Sequence, residues 1–347
     1  MDRSDVEPVD RTPDRDRARP GGRWRRLALI AGLTATGLLV ALELILRLIV
    51  GLGDPPLWVA HETIEYLPAP SHEFRRFGNR VAYNAYSMRS SRFPRQKQDP
   101  NELRVICFGD SVLNGGGLTD QSELATERIE LQLATRFRRP VVVGNVSAGS
   151  WGPANMLAYA ETFGFFDADV VIIVLSSHDH VDVPTFEPVV GVRPGFPAKR
   201  PILALQELFG RYLVRSIKGR DIEDPTEVQI DPEAAGQSLS ALGRLIRLAQ
   251  AHRARVIVAL YPGPQEVIGQ PLAGYEAILT LTRQMSVASV QMIESFGATL
   301  AMDVNPYRDH FHPNATGQRL LADALFAAVA HLMAPAGQPV ADAAGGR

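Results

Sequence analysis

"LRVICFGDSVLNGG", residues 103–116, decides the fold of this chain, because an apolar run ends there at a glycine and gives way to a polar turn. A short run that is apolar throughout is typical of a strand buried on both faces, as in a parallel sheet covered by helices. Cys107 lies inside this run and is the chain's single cysteine. It is predicted to be a buried structural thiol, and an internal disulfide framework is excluded.

Similar apolar runs recur along the chain and alternate with helical patterns. The runs are "VVVGNVS" at 141–147, "DVVIIVL" at 169–175, "ARVIVALY" at 254–261 and "ATLAMDV" at 298–304. Helices are predicted within 121–137, near 153–164, and within 233–252, 272–296 and 314–333. This alternation predicts a three-layer α/β/α sandwich with a mainly parallel sheet.

An apolar segment near the N-terminus predicts one transmembrane helix. Residues 27–42 carry no charge, and the apolar character continues to Leu52. As a helix, residues 27–52 would reach about 39 Å, enough to cross a hydrocarbon core of roughly 30 Å. Arg23, Arg25 and Arg26 directly precede the segment, so the positive-inside rule places the N-terminus in the cytoplasm and the main domain on the periplasmic or extracellular side. We interpret the segment as an uncleaved signal anchor in a bacterial cell membrane.

Glu43 and Arg47 interrupt the end of this segment. They stand four residues apart on one helical face, and they are predicted to form an ion pair at the membrane interface.

The remaining regions are assigned from composition. Residues 1–26 and 335–347 are predicted to be disordered tails. Residues 53–102 are rich in proline, arginine, serine and asparagine and are predicted to form a stalk or a cover over the main domain at 103–334. Within that domain, residues 180–232 interrupt the alternation and are predicted to be a functional insertion. The net charge of −2 disfavours nucleic-acid binding.

Catalytic residue types follow the predicted strands. Ligands of open α/β sheets bind beyond the carboxyl ends of the strands. Ser111 directly follows the first strand, and the loop "NPYRDHFHPNATG" at 305–317, which is predicted to follow the fifth strand, holds Asp309 and His312. A serine nucleophile needs a base to take its proton and a carboxylate to orient that base. The three residues are therefore predicted to converge.

Two further loops hold candidate binding groups. In "GNVSAGSWG", residues 144–152, the backbone N–H of Gly149 is a candidate oxyanion donor, and Trp151 is a candidate for stacking on a sugar ring. The loop "VLSSHDHVDV", residues 174–183, brings two histidines and two aspartates to the end of the third strand.

These four blocks resemble the SGNH (GDSL-type) hydrolase family over roughly residues 103 to 333. The resemblance implies a flavodoxin-like fold, Ser111 as nucleophile, His312 as general base and Asp309 as its orienting partner. It also implies that Ser111 and Gly149 donate backbone N–H groups to the oxyanion. The third block, "SSHD", has a histidine where the family has an asparagine, so that His178 is expected to be the remaining oxyanion donor.

The anchor and the "SSHD" block also resemble envelope-located members of the family that are associated with carbohydrate acylation. The resemblance implies a serine esterase acting on O-acyl groups, acetyl in particular, of a carbohydrate or on a small ester, with no cofactor and no metal. An O-acyltransferase acting on an envelope polysaccharide would use the same acyl-enzyme. A non-catalytic polysaccharide-binding protein is a further alternative.

Metal-dependent hydrolysis is the alternative that the histidines and aspartates raise. Imidazole and carboxylate ligands suit zinc or manganese. This hypothesis leaves Ser111 and Gly149 without a role, which favours the serine mechanism. Its ligands would come from two loops, namely His178, Asp179, His180 and Asp182 in one and Asp309, His310 and His312 in the other.

Overall fold

The computed structural model describes residues 21–213 and 231–334. Residues 1–20 of the tail predicted at 1–26, the tail predicted at 335–347 and the part of the predicted insertion at 214–230 lie outside these ranges. Residues 21–26 belong to the first helix and are not a disordered tail as predicted.

The described chain begins with a long apolar helix, Gly21–Ile45, which continues as a π-helical turn, Leu46–Val50. The stretch Arg23–Val50 contains an 18-residue window with a mean hydropathy of 2.2 and is long and apolar enough to cross a membrane. Most of its side chains lie exposed, away from the rest of the molecule. Glu43 and Arg47 form the ion pair that the sequence predicts.

Two antiparallel hairpins follow the apolar helix. The first pairs β1 (Trp58–His61) with β2 (Glu65–Pro68), and the second pairs β3 (His72–Arg76) with β4 (Asn79–Tyr83). Ile64 and Tyr66 of the first hairpin are buried in the main core. Residues 53–102 are predicted to form either a stalk or a cover over the main domain, and these contacts are the ones expected of a cover.

The central sheet has five strands, all parallel. In chain order they are β5 (Leu103–Gly109), β6 (Val141–Ser147), β7 (Val170–Leu175), β8 (Arg255–Leu260) and β9 (Ala288–Gln291). In space the order is β6, β5, β7, β8, β9. This is the flavodoxin-like arrangement, in which the strand order reverses between the first and third strands and opens a crevice at their carboxyl ends. The predicted fold is confirmed.

Helices cover both faces of the sheet. One layer consists of Pro153–Phe163, Pro232–Ala251 and Ala273–Gln284, and the other consists of Ala125–Phe137, Ile293–Ala301 and Ala315–Met333. Side chains along each strand alternate between the two cores: on β5, Ile106 and Phe108 enter the first core, whereas Val105 and Cys107 enter the second. This period of two is what a strand buried on both faces produces.

The fifth strand is not where the sequence predicts it. Residues 298–304 belong mostly to the helix Ile293–Ala301, and the strand is β9, within the region predicted as one helix at 272–296. β9 is a short edge strand of sequence "ASVQ" whose side chains are mostly exposed, so it has none of the apolar character that marks the inner strands. The fifth strand was predicted from a continuous apolar run, but such a run indicates a buried segment and does not distinguish a strand from a helix. An exposed edge strand such as β9 lacks the run altogether.

Gly274 allows the helix Ala273–Gln284 to pack against the loop after β7. A Cβ atom at this position would lie 2.0 Å from the Ser177 carbonyl oxygen and 2.3 Å from Nδ1 of His180. We expect Gly274→Ala to lower the free energy of unfolding by about 1–3 kcal/mol or more, measured as a lower apparent Tm. Gly297→Ala is the matched control, since its Cβ would meet Val267 at an ordinary 3.6 Å. Equal Tm values for the two variants would contradict this close packing.

Candidate active site

Ser111 stands at the crevice opened by the reversal of strand order. It is the first residue of a short helix, Ser111–Asn114, directly after β5, and the Asp110 carboxylate caps this turn by accepting the N–H of Val112 at 2.8 Å. Gly109 is required because a Cβ there would lie 2.8 Å from Cβ of Leu113. The end of β5, the Asp110 cap and the close packing of Leu113 against Gly109 together hold the Ser111 hydroxyl at the edge of the sheet.

Ser111, His312 and Asp309 form one hydrogen-bonded chain. Nε2 of His312 lies 2.9 Å from Oγ of Ser111, and Nδ1 of His312 lies 3.0 Å from Oδ2 and 3.1 Å from Oδ1 of Asp309. An anionic carboxylate accepts a hydrogen bond from Nδ1–H, which leaves Nε2 as the acceptor for the serine O–H. The order hydroxyl, imidazole, carboxylate is the arrangement that activates a serine nucleophile.

Asp309 is held in its anionic form. Burial on its own would raise the pKa of this carboxyl group, but hydrogen bonds from the N–H groups of His312 and Phe311 and the neighbouring imidazole lower it below its usual value. The two N–H groups reach Oδ1 of Asp309 at 2.7 Å and 2.9 Å. The carboxylate is therefore charged at neutral pH and fixes the orientation of the imidazole.

Arg308, which the sequence analysis did not single out, connects the loop of His312 to the loop of Ser111. Its guanidinium donates to the Gly115 carbonyl at 2.8 Å and to the Thr119 hydroxyl at 3.0 Å, and its backbone N–H donates to the His312 carbonyl at 2.9 Å. An arginine in a polar loop carries no distinguishing sequence signal. Its position directly before Asp309 is the one hint that the sequence offers.

Gly149 has open space beside it, whereas Trp151 is buried. No other described atom comes within 4 Å of a Cβ built on Gly149, whose carbonyl accepts the Tyr66 hydroxyl at 2.7 Å. Trp151 is only 1% exposed, and its indole N–H donates to the Tyr66 carbonyl. The prediction that Trp151 stacks on a sugar is wrong, because the hairpin formed by β1 and β2 covers the indole.

His178 faces carboxylates instead of an oxyanion. Its Nε2 lies 3.3 Å from Oδ2 of Asp110, 3.6 Å from Oδ1 of Asp179 and 4.0 Å from Oδ2 of Asp182. Its Nδ1 lies 3.1 Å from the Ser176 hydroxyl. Both ring nitrogens thus have partners, and the expected role of His178 as an oxyanion donor does not fit this geometry. The aspartate that caps the Ser111 turn binds the imidazole instead.

The charge of His178 follows from this cluster. Burial opposes protonation of the ring, but Asp179, Asp110 and Asp182 outweigh that effect and raise the pKa of His178 to about 10. His178 is thus a cation at neutral pH, and it offsets the negative charge gathered beside Ser111.

The residues of the metal hypothesis do not come together as one site. Among the residues that the structure describes, the groups close enough to share an ion are Asp110, His178 and Asp179, whose ligand atoms lie within 4.8 Å of one another. His180 turns away, with Nδ1 2.6 Å from the Ser177 carbonyl oxygen, and His310 is exposed. A metal ion bound by the trio would need a neutral His178, whereas the surrounding carboxylates stabilise its protonated form.

Known proteins resemble the chain only in structure. No family model matches the sequence, and no curated protein matches it. A member of the lipolytic G-D-S-L family from Veillonella parvula is similar, at 15% identity over 65% of this chain and 97% of that chain, with a TM-score of 0.41. A catalytic mutant of an acetylxylan esterase from Geobacillus stearothermophilus is similar at 13% identity over 65% of this chain and 94% of that chain, with a TM-score of 0.43. At these identities the likeness concerns the fold alone.

We expect His178 to stabilise the protein in a pH-dependent way. Its pKa of about 10 in the folded state lies above the ordinary value of about 6.5, so the stabilisation is fully present below about pH 6.5 and is lost as the pH rises through about 10. The difference in apparent Tm between the wild type and His178→Gln should therefore shrink across this range. A difference that stays constant with pH would contradict the ion-pair assignment.

Proposed function

We propose that this chain is a membrane-anchored serine esterase that removes O-acyl groups, acetyl above all, from a carbohydrate. The observation that carries the proposal is the hydrogen-bonded chain from the Ser111 hydroxyl through His312 to Asp309 at the carboxyl edge of the sheet. This arrangement supplies a nucleophile, a base and an orienting carboxylate in the order that acyl transfer to serine requires.

In the first half of the reaction, Oγ of Ser111 attacks the carbonyl carbon of the ester while its proton moves to Nε2 of His312. The imidazolium that forms is stabilised by Asp309 at Nδ1. The tetrahedral intermediate carries its negative charge on the former carbonyl oxygen, and we assign the backbone N–H groups of Ser111 and Gly149 to it. The protonated His312 then gives its proton to the departing sugar oxygen, and the acyl group remains on Ser111.

In the second half, water attacks the acyl-enzyme. His312 takes one proton from the water, the carboxylic acid leaves, and the proton returns to Oγ of Ser111. Solvent exposure of the side chains favours hydrolysis over transfer to a second sugar, since 27% of His312 and 38% of Asp309 are accessible. The acyltransferase alternative requires that a sugar hydroxyl displace this water.

His178 has a positioning role in this proposal. Its imidazolium ring pairs with Oδ2 of Asp110, while Oδ1 of the same carboxylate caps the turn of Ser111. The ring also packs edge-on against Phe311, next to His312 in the chain, with ring centroids 4.8 Å apart. His178 therefore contacts both loops that carry the reacting groups.

The location and the substrate class complete the proposal. The arginines before the apolar helix support a cytoplasmic N-terminus by the positive-inside rule, and we therefore propose that the esterase domain faces the periplasm or the cell exterior. The acylated carbohydrate follows from the resemblance of the sequence blocks to envelope proteins associated with carbohydrate acylation.

The kinetic test uses the full-length protein in detergent with p-nitrophenyl acetate. We expect Ser111→Ala and His312→Ala to lower kcat by at least about 10⁴-fold and Asp309→Asn by about 10⁴-fold, because each removes part of one proton-transfer unit. Ser289→Ala changes an exposed serine on the edge strand and should leave kcat unchanged.

Three outcomes would contradict the proposal. Activity that survives Ser111→Ala but disappears with a chelator would favour the metal mechanism. A wild-type protein that is inert toward esters and still binds polysaccharide would favour the non-catalytic alternative. If an added sugar acceptor captures most of the acyl group in competition with water, the enzyme is a transferase.

A further inference from the structure

The end of the apolar helix is attached to the main domain through residues 202–213, here called the docking segment. Glu43 accepts the N–H groups of Ala204 at 2.8 Å and Leu205 at 3.0 Å, and Arg47 donates to the Ile202 carbonyl. Apolar residues reinforce this contact from both sides, with Leu46, Leu52 and Ala204 buried and Val50, Leu205, Leu208 and Tyr212 packed against them. The helix and the docking segment are therefore packed as one unit.

A second set of contacts joins this unit to the hairpin formed by β3 and β4. Glu207 of the docking segment accepts the N–H of Gly53 at 2.7 Å and forms a buried ion pair with Arg76. The N–H of Phe77 at the hairpin turn donates to the Val50 carbonyl at 2.9 Å. Breaking the Arg76–Glu207 pair would leave an uncompensated buried charge, which opposes separation of the segment from the domain.

The length of the apolar helix gives the depth of the docking segment. The uncharged residues 27–42 span about 24 Å as a helix, which is about four residues short of a hydrocarbon core of roughly 30 Å. In the membrane that the helix is proposed to cross, the core then ends near Leu46, and Glu43 lies about one turn inside that boundary. Because Ala204 and Leu205 bind the Glu43 carboxylate, the docking segment lies at the same boundary.

The docking segment exposes large apolar side chains at that depth. Ile202 is 85% exposed and Phe209 is 57% exposed, and Leu203 and Leu213 are also exposed. Phe77, at the turn of the attached hairpin, is exposed as well. One side of the segment thus packs on the domain while the other presents apolar groups, as in helices that lie in the boundary between headgroups and acyl chains.

We propose that the docking segment is a second membrane contact, which lies in the outer boundary of the bilayer and buries Ile202, Leu203, Phe209 and Phe77 in lipid. This inference rests on the proposed membrane anchoring. The occupant is the bilayer because the apolar surface is continuous with a helix that is long and apolar enough to cross one. Glu43 and Arg47 then join the anchor to the docking segment and are not an isolated pair in the membrane.

Depth-dependent fluorescence quenching of the full-length protein in phosphatidylcholine–phosphatidylglycerol vesicles tests this proposal. Single cysteines are labelled with the environment-sensitive dye NBD, and Cys107 remains unlabelled because it is fully buried. We expect NBD at Phe209→Cys and at Ile202→Cys to emit at shorter wavelength and to be quenched by lipids that carry a shallow doxyl group. NBD at Leu131→Cys, an exposed leucine on the helix Ala125–Phe137, should be quenched several-fold less.

Leu38→Cys, in the middle of the apolar helix, separates failure of this proposal from failure of the anchor. Deep doxyl lipids should quench NBD at this position. If Leu38→Cys is quenched while Phe209→Cys and Ile202→Cys behave like Leu131→Cys, the anchor stands and the second contact is refuted. If Leu38→Cys is not quenched either, the anchor and the second contact are both wrong. A blue-shifted but unquenched dye at Phe209→Cys would mean that protein covers the docking segment, which also overturns the proposal.

Discussion

The hydrogen bond between Oγ of Ser111 and Nε2 of His312 joins two loops that are 201 residues apart in the chain, and the candidate site depends on it. The two atoms lie 2.9 Å apart, and this distance is kept only if both loops are held in place. The reversal of strand order places Ser111 at the crevice, and Arg308 holds the loop of His312 against the residues that follow Ser111. The fold thus positions Ser111, and Arg308 fixes the two loops relative to each other.

Charge is distributed around this bond in two separate groups. Asp309 and His312 form the first group, which is partly open to solvent. Asp110, His178 and Asp179 form the second group, which is more deeply buried and pairs an imidazolium with carboxylates. Because Asp110 both caps the turn of Ser111 and binds His178, the second group stabilises the backbone turn that carries Ser111. Burial without the imidazolium would leave these carboxylates uncompensated, which proteins rarely tolerate.

The sequence was sufficient for the inner sheet, since buried strands have continuous apolar patterns. Ser111, His312 and Asp309 do meet as predicted, although the loop of Asp309 and His312 follows the helix Ile293–Ala301 and not the predicted fifth strand. It was not sufficient for β9, because this strand lies at the exposed edge of the sheet and its side chains are not apolar throughout. Alignment of "SSHD" with a family motif gave the position of His178 but not the direction of its ring, which depends on a contact with Asp110 in a different block of the sequence. Trp151 was misassigned because the hairpin that buries it had no strong strand pattern.

The central claim is that Ser111 is a nucleophile activated by His312, and covalent labelling tests it most directly. The full-length protein in detergent is treated with a fluorophosphonate, and the modified residue is identified by peptide mass spectrometry. The account predicts one adduct per chain on Ser111, formed rapidly by the wild type and lost in folded His312→Ala. An adduct on another serine, or no adduct on a folded protein, would contradict it.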